Sequence, residues 1–224
     1  MLNLFPRRRA PRAIRGLGQY SPPSYFDSGW AGVFVVGANA IGVDPLDLAK
    51  LLISESGFDP SAQNSIGCVG LNQICPGSQG VFNSDYTADQ YTQLTVSQQL
   101  PYVFDYFKNW LSQYGLSSIS ARDLYWLNFL PATYVPGSPD SYVIATQGDG
   151  YYDANTSFDK AGKGTITAGD LQTALDDAAT NHADLFAYLQ GEICAAGGCI
   201  PGTPWLFLGG VALGAGLFLM RNRR

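Results

Sequence analysis

Histidine is almost absent, with His182 the single one in 224 residues, and the four cysteines fall as two close pairs, Cys68 with Cys75 and Cys194 with Cys199. Tetrahedral zinc sites draw on Cys and His at tighter CxxC-type spacings, so this inventory argues against a zinc centre. The pairs fit two local disulfides or four buried thiols equally well, because the sequence does not give the redox compartment. Basic residues are scarce in the body of the chain. Eight of the thirteen lie in two short tails (Arg7, Arg8, Arg9, Arg12 and Arg15; Arg221, Arg223 and Arg224), leaving five against 18 acidic residues. An acidic body excludes a folded nucleic-acid-binding surface, which needs clustered Lys and Arg. No comparable stretch alternates apolar and polar residues as a half-buried strand does, so the body reads as mainly helical.

What is present is 46% apolar residues, enough for one ordinary core. From Cys199 to Met220 there are 22 residues without a charge, followed at once by Arg221, Asn222, Arg223 and Arg224. Thr203 suits a cap, Pro204 the first helical position and Trp205 a headgroup interface, so residues 204–220 are expected to form a transmembrane helix, with Gly210 and Gly214 at GxxxG spacing. A buried core helix is the alternative. The first 18 residues carry positive charge but no apolar run of the length a secretory signal needs. Residues 1–30, rich in Pro, Arg and Gly, are expected to form an extended basic arm that contacts a partner such as a capsid or nucleic acid, or else a solvated tail.

Four helices announce themselves by their caps. Asp44 and Pro45 open the first, which Gly57 and Pro60 close. Its Leu48, Leu51, Leu52 and Glu55 recur at spacings of three and four, placing Glu55 on the apolar face at the last turn. Burial there, near the negative end of the helix dipole, raises the pKa of a carboxyl, as a general acid requires. Thr95 and Gln98 form a capping box for a second helix up to Gly115. Ser120 with Asp123 starts a third, Ala121 to Leu130, which Pro131 ends. Thr167 and Asp170 start a fourth that runs to Gly191.

The run Glu55, Ser56, Gly57, Phe58, Asp59, Pro60, then Ser61, Ala62, Gln63, Asn64, then Gly70, Leu71, Asn72, Gln73 resembles the first two motifs of lytic transglycosylases of the goose-lysozyme-like fold. The resemblance covers about residues 40–175; Ser120 to Pro131 and Asp159 to Leu171 look like segments of phage-encoded members. It implies a lysozyme-like helical domain in which Glu55 protonates the glycosidic oxygen between N-acetylmuramic acid and N-acetylglucosamine. No second carboxylate is required, because the acetamido group and C6 hydroxyl of the substrate replace nucleophile and water and leave a 1,6-anhydro sugar. It implies further that Ser56 and Gln73 orient Glu55 and the acetamido groups, with Asn64 also in the substrate loop. Asp59 reads as part of a turn. Many family members place a tyrosine opposite the acid, as Ala-Tyr-Asn; the matching stretch here is Asn128, Phe129, Leu130, Pro131, Ala132, with Leu130 at the tyrosine position. Tyr125 or Tyr134 is then expected to supply the hydroxyl.

Asp159 to Asp170 has the outline of a calcium loop, but positions 3 and 5 hold Ala161 and Lys163, so a metal-free turn is expected and no cofactor. The expected organisation is an arm (1–30), a lysozyme-like transglycosylase domain (31–150), a degenerate calcium-loop turn with a long helix (151–191), a linker (192–203), the membrane helix (204–220) and a basic tail (221–224). The expected activity is cleavage of peptidoglycan glycan strands from a single-pass membrane anchor, displayed in the membrane of a phage virion. The alternatives are a structural membrane protein that keeps the fold without turnover, and a lysozyme-type hydrolase.

Overall fold

The computed structural model describes residues 20–75 and 86–199. The membrane helix expected at 204–220, the basic tail and the five arginines of the arm lie outside the described residues. Among the described residues no single helix is long and apolar enough to cross a membrane.

The chain is mainly helical and fits a lysozyme-like fold. Helix α1 (Trp30–Ala40) leads into α2 (Pro45–Ser56), and α3 (Ala88–Tyr91), α4 (Val96–Gln113) and α5 (Ala121–Phe129) follow in the chain. Strand β1 (Val143–Thr146), α6 (Gly150–Ala154) and β2 (Thr165–Thr167) follow, and α7 (Ala168–Asn181) and α8 (Ala183–Ala195) complete the domain. The two strands pair antiparallel, Ala145 opposite Ile166 and Thr146 opposite Thr165.

The caps read from sequence hold. Asp44 Oδ1 accepts from the Leu46 amide at 2.8 Å, Pro45 sits at the first helical position, and Gly57 ends α2 in the left-handed region at φ 67°. The next residue, Phe58, also has positive φ, 61°, and its amide reaches back to the Leu52 carbonyl. Its ring is fully buried among Phe26, Trp30 and Phe34. A bulky residue in that backbone region is held by its packing, so the aromatic cluster fixes the end of α2, and with it the turn that carries Glu55.

Three features depart from the sequence reading. Helix α1 has no sequence signature: Phe34 and Ala38 are buried while Val33 and Val36 are exposed, so apolar residues occupy both faces. Gly37 has no room for a side chain, since a Cβ there would meet the Phe104 ring at 2.0 Å; glycine lets α1 lie against α4. The single long helix expected from Thr167 to Gly191 breaks at His182 (φ −115°, ψ 40°) into α7 and α8. Leu171, Leu175, Ala178, Leu185 and Leu189 all enter one core with α2 and α5, so residues 168–195 belong to the domain instead of extending from it, and α8 runs into the expected linker. The end of the expected extended arm also docks: Tyr20 and Phe26 pack on Tyr188, and Asp27 accepts from Ser97. Both cysteine pairs are disulfides, Cys68–Cys75 and Cys194–Cys199.

Candidate active site

A cleft of about 670 Å³ opens over the C-terminal turn of α2. Ile53, Ser54 and Glu55 line it from α2, and Asn64, Ile66, Cys68, Gln73 and Cys75 from the loop that follows. Tyr125, Asn128, Phe129 and Leu130 come from α5 and its end, and α6 and α7 supply the far wall. Among the described residues two acids line the cleft, Glu55 and Asp177, and Asp177 is ion-paired with Lys160.

Glu55 is partly exposed to the cleft and otherwise surrounded by protein. Loss of solvation pushes its pKa up to about 7, against hydrogen bonds from Tyr125 and Asn128 that favour the carboxylate. Desolvation wins because two neutral donors replace only part of the lost water shell. Ser54 Oγ and Tyr125 Oη are 2.8 Å apart. With the Tyr125 proton given to Glu55, Ser54 is the donor to Tyr125, and the three side chains form one directed chain. Burial and the adjacent Glu55 raise the Tyr125 pKa well above that of free tyrosine, so the phenol stays protonated.

Of the two tyrosines left open by the sequence, the structure therefore brings Tyr125 to the acid. Tyr134 lies elsewhere: its ring packs edge-on against Tyr114 and Trp126, outside the cleft lining. Burial, then Asp123, raises its pKa to about 12. Its expected role as a substrate residue is corrected accordingly. Ser56, also expected at the substrate, does not line the cleft. Its hydroxyl donates to Leu52 O at 3.0 Å and Leu71 O at 2.9 Å, stapling α2 to the loop that carries Gln73. Asn64 and Gln73 do line the cleft. Asn64 Oδ1 accepts from the Ile66 and Cys68 amides, and Gln73, at φ 50°, turns its amide into the loop to bond Ala62 O and Gly70 O.

The loop is pinned from beneath by Gln99, fully buried on α4. Its Oε1 accepts from the Leu71 amide at 3.0 Å, and its Nε2 donates to Pro60 O at 2.7 Å and Tyr91 O at 2.8 Å. Gly70 (φ 78°) crosses directly over it; a Cβ there would lie 2.7 Å from Gln99 Oε1 and 2.4 Å from the Tyr91 ring.

Sequence reasoning missed Asn128. It stands one helical turn after Tyr125 on α5 and joins Glu55 to the loop, exchanging hydrogen bonds with Asn72 at 3.2 and 3.3 Å. The i, i+3 spacing from Tyr125 is a signal that could have found it. The calcium-loop outline resolves into a turn held by protein groups. Asp159 accepts from the Lys163 and Gly164 amides and from Tyr152 Oη, and the Lys163 ammonium sits on both oxygens of Asp170.

A carboxyl with a raised pKa in an open cleft can give a proton to a leaving oxygen. Residues 33–125 match the family model Transglycosylase SLT domain. The chain thus carries an SLT-type lytic transglycosylase domain, whose family acts on peptidoglycan. No curated protein and no solved structure matches the chain. The matched stretch contains Glu55, Asn64, Gln73 and Tyr125, and ends before Asn128 and the α6 and α7 wall.

Proposed function

We propose that Glu55 is the single general acid and base of this transglycosylase. Its carboxyl protonates the oxygen leaving from C1 of N-acetylmuramic acid as that bond breaks, and the resulting carboxylate takes the proton of the C6 hydroxyl as O6 bonds to C1. The proton is returned, no water is consumed, and the product ends in a 1,6-anhydro sugar. One observation carries this reading: Glu55 faces the cleft with its pKa raised to about 7, and the other acid that lines the cleft among the described residues is ion-paired with Lys160. The contact between Tyr125 and Glu55 supports turnover over a fold that has lost it, since a hydroxyl reaches the acid although Leu130 holds the expected tyrosine position.

Purified full-length protein in detergent is expected to release anhydro-muropeptides from purified sacculi, read by mass spectrometry. Reducing-end products would make it a hydrolase, and no release would discard the reading. The acid must hold its proton to act, and free-enzyme groups govern kcat/KM. The plot of log kcat/KM against pH is therefore expected to bend near 7 and fall about tenfold per pH unit above it. A profile flat to pH 9 would contradict Glu55 as the acid.

We further propose that the domain is displayed on a membrane through residues 204–220, in the membrane of a phage particle, with the basic arm contacting a capsid or nucleic acid. The uncharged run from Cys199 to Met220 and the basic residues that follow it support the anchor.

A further inference from the structure

Seven large apolar side chains are prominently exposed among the described residues, and two of them, Ile66 at 73% and Tyr151 at 58%, line the catalytic cleft. Single exposed apolar residues need no explanation on a protein surface, but two on the walls of one concave site do. They come from separate segments. Ile66 stands on the loop held by Asn64, whose side chain accepts the Ile66 amide. Tyr151 stands on α6, beyond the stretch that matches the family model.

The support beneath Tyr151 is more elaborate than a solvent-facing ring requires. Asp149 caps α6 by accepting from the Tyr152 amide at 2.7 Å and also from the Thr146 amide at 2.8 Å. Tyr152 turns inward, packs with Ala145 and Ile166, and donates to Asp159. Asn155 Nδ2 holds the Tyr151 carbonyl at 2.9 Å. One tyrosine of the pair anchors the helix, and its neighbour is left facing the cleft in a pre-set position.

A pyranose ring carries its hydroxyls at the rim and C–H groups on its faces. Apolar side chains from two walls suit those faces, and a pre-placed aromatic loses little freedom on binding. We propose that Ile66 and Tyr151 form an apolar clamp that grips a sugar ring of the glycan strand in the cleft, with Tyr151 the larger contributor. This rests on the reading of the cleft as a glycan-cleaving site.

The test measures binding of soluble, uncrosslinked peptidoglycan strands to the full chain carrying Glu55→Gln, so that cleavage does not intervene. Adding Tyr151→Ala is expected to weaken the Kd about tenfold, equivalent to about 1.4 kcal/mol. Ile66→Ala should weaken it about threefold, and Tyr151→Phe should stay within about twofold of the parent, because the ring and not the hydroxyl makes the contact. Melting temperatures should match the parent, as both side chains are exposed. Unchanged binding by Tyr151→Ala, or an equal loss in Tyr151→Phe, overturns the clamp and leaves the catalytic reading standing. A parent that binds no strands while wild-type protein releases no product overturns both.

Discussion

Glu55→Gln is expected to lower release of anhydro-muropeptides by about 10³-fold or more, the scale of a lost general acid, while making the protein more stable at alkaline pH. The second half follows from the sign of the pKa shift. The ordinary value is 4.5 and the folded value about 7. Below 4.5 both folded and unfolded chains hold the proton and the group contributes no difference. Between 4.5 and 7 the unfolded chain releases it and the folded chain keeps it, so stability falls as pH rises; above 7 the deficit is constant. Glutamine has no charge to desolvate and nearly the same shape. At pH 8 the variant should therefore gain on the order of 2 kcal/mol, seen as a higher Tm, and at pH 4 the gain should vanish. A variant equally stable at both pH values would mean that Glu55 is solvated, and the catalytic reading would lose its physical basis.

The second large effect is expected at Gln99, which touches no substrate. Gln99→Leu keeps the volume but strands the Leu71 amide and the Pro60 carbonyl in a dry interior, and leaves the Tyr91 carbonyl with the Leu94 amide as its donor. Each orphaned buried group costs about 1–3 kcal/mol, so with two of them a total loss of about 2–4 kcal/mol is expected by chemical denaturation, allowing for relaxation. Because the Leu71 amide belongs to the turn that presents Asn72 and Gln73, kcat should fall at temperatures where the variant is fully folded, more than a simple loss of stability would give. A loss below about 1 kcal/mol with unchanged kcat would mean that the loop is held by its other restraints, the Ser56 hydroxyl and the Cys68–Cys75 disulfide.

The parts of the fold legible in the sequence are those whose determinants are local. Asp44, Thr95, Ser120 and Thr167 sit at helix starts because their side chains satisfy free amides two or three residues on, a relation contained in a five-residue window. Glu55 was legible for the same reason: its phase relative to Leu48, Leu51 and Leu52 follows from helix geometry alone. Helix α1 was not, since its two apolar faces give no periodicity. The break at His182 was invisible because Leu185 and Leu189 resume facing the core, so the pattern of spacings conceals the interruption. The choice between Tyr125 and Tyr134 depended on how α5 packs against α2, which no short window encodes. The far wall of the cleft, from Tyr151 to His182, is assembled from contacts across the domain; the one motif in it, the calcium-loop outline at Asp159 to Asp170, gave no sign that it faces Glu55.

Lys163 gives that far wall a property of its own. In a loop of this outline the cation is ordinarily borrowed from the surroundings, and its occupancy follows the ionic milieu. Here the positive charge is covalently part of the chain, seated on Asp170, and the amides and the tyrosine hydroxyl on Asp159 complete the turn. The scaffold under α6 is closed by its own side chains and amides. The charge that completes the turn is therefore supplied with the fold itself, by a residue next to the wall that carries Tyr151.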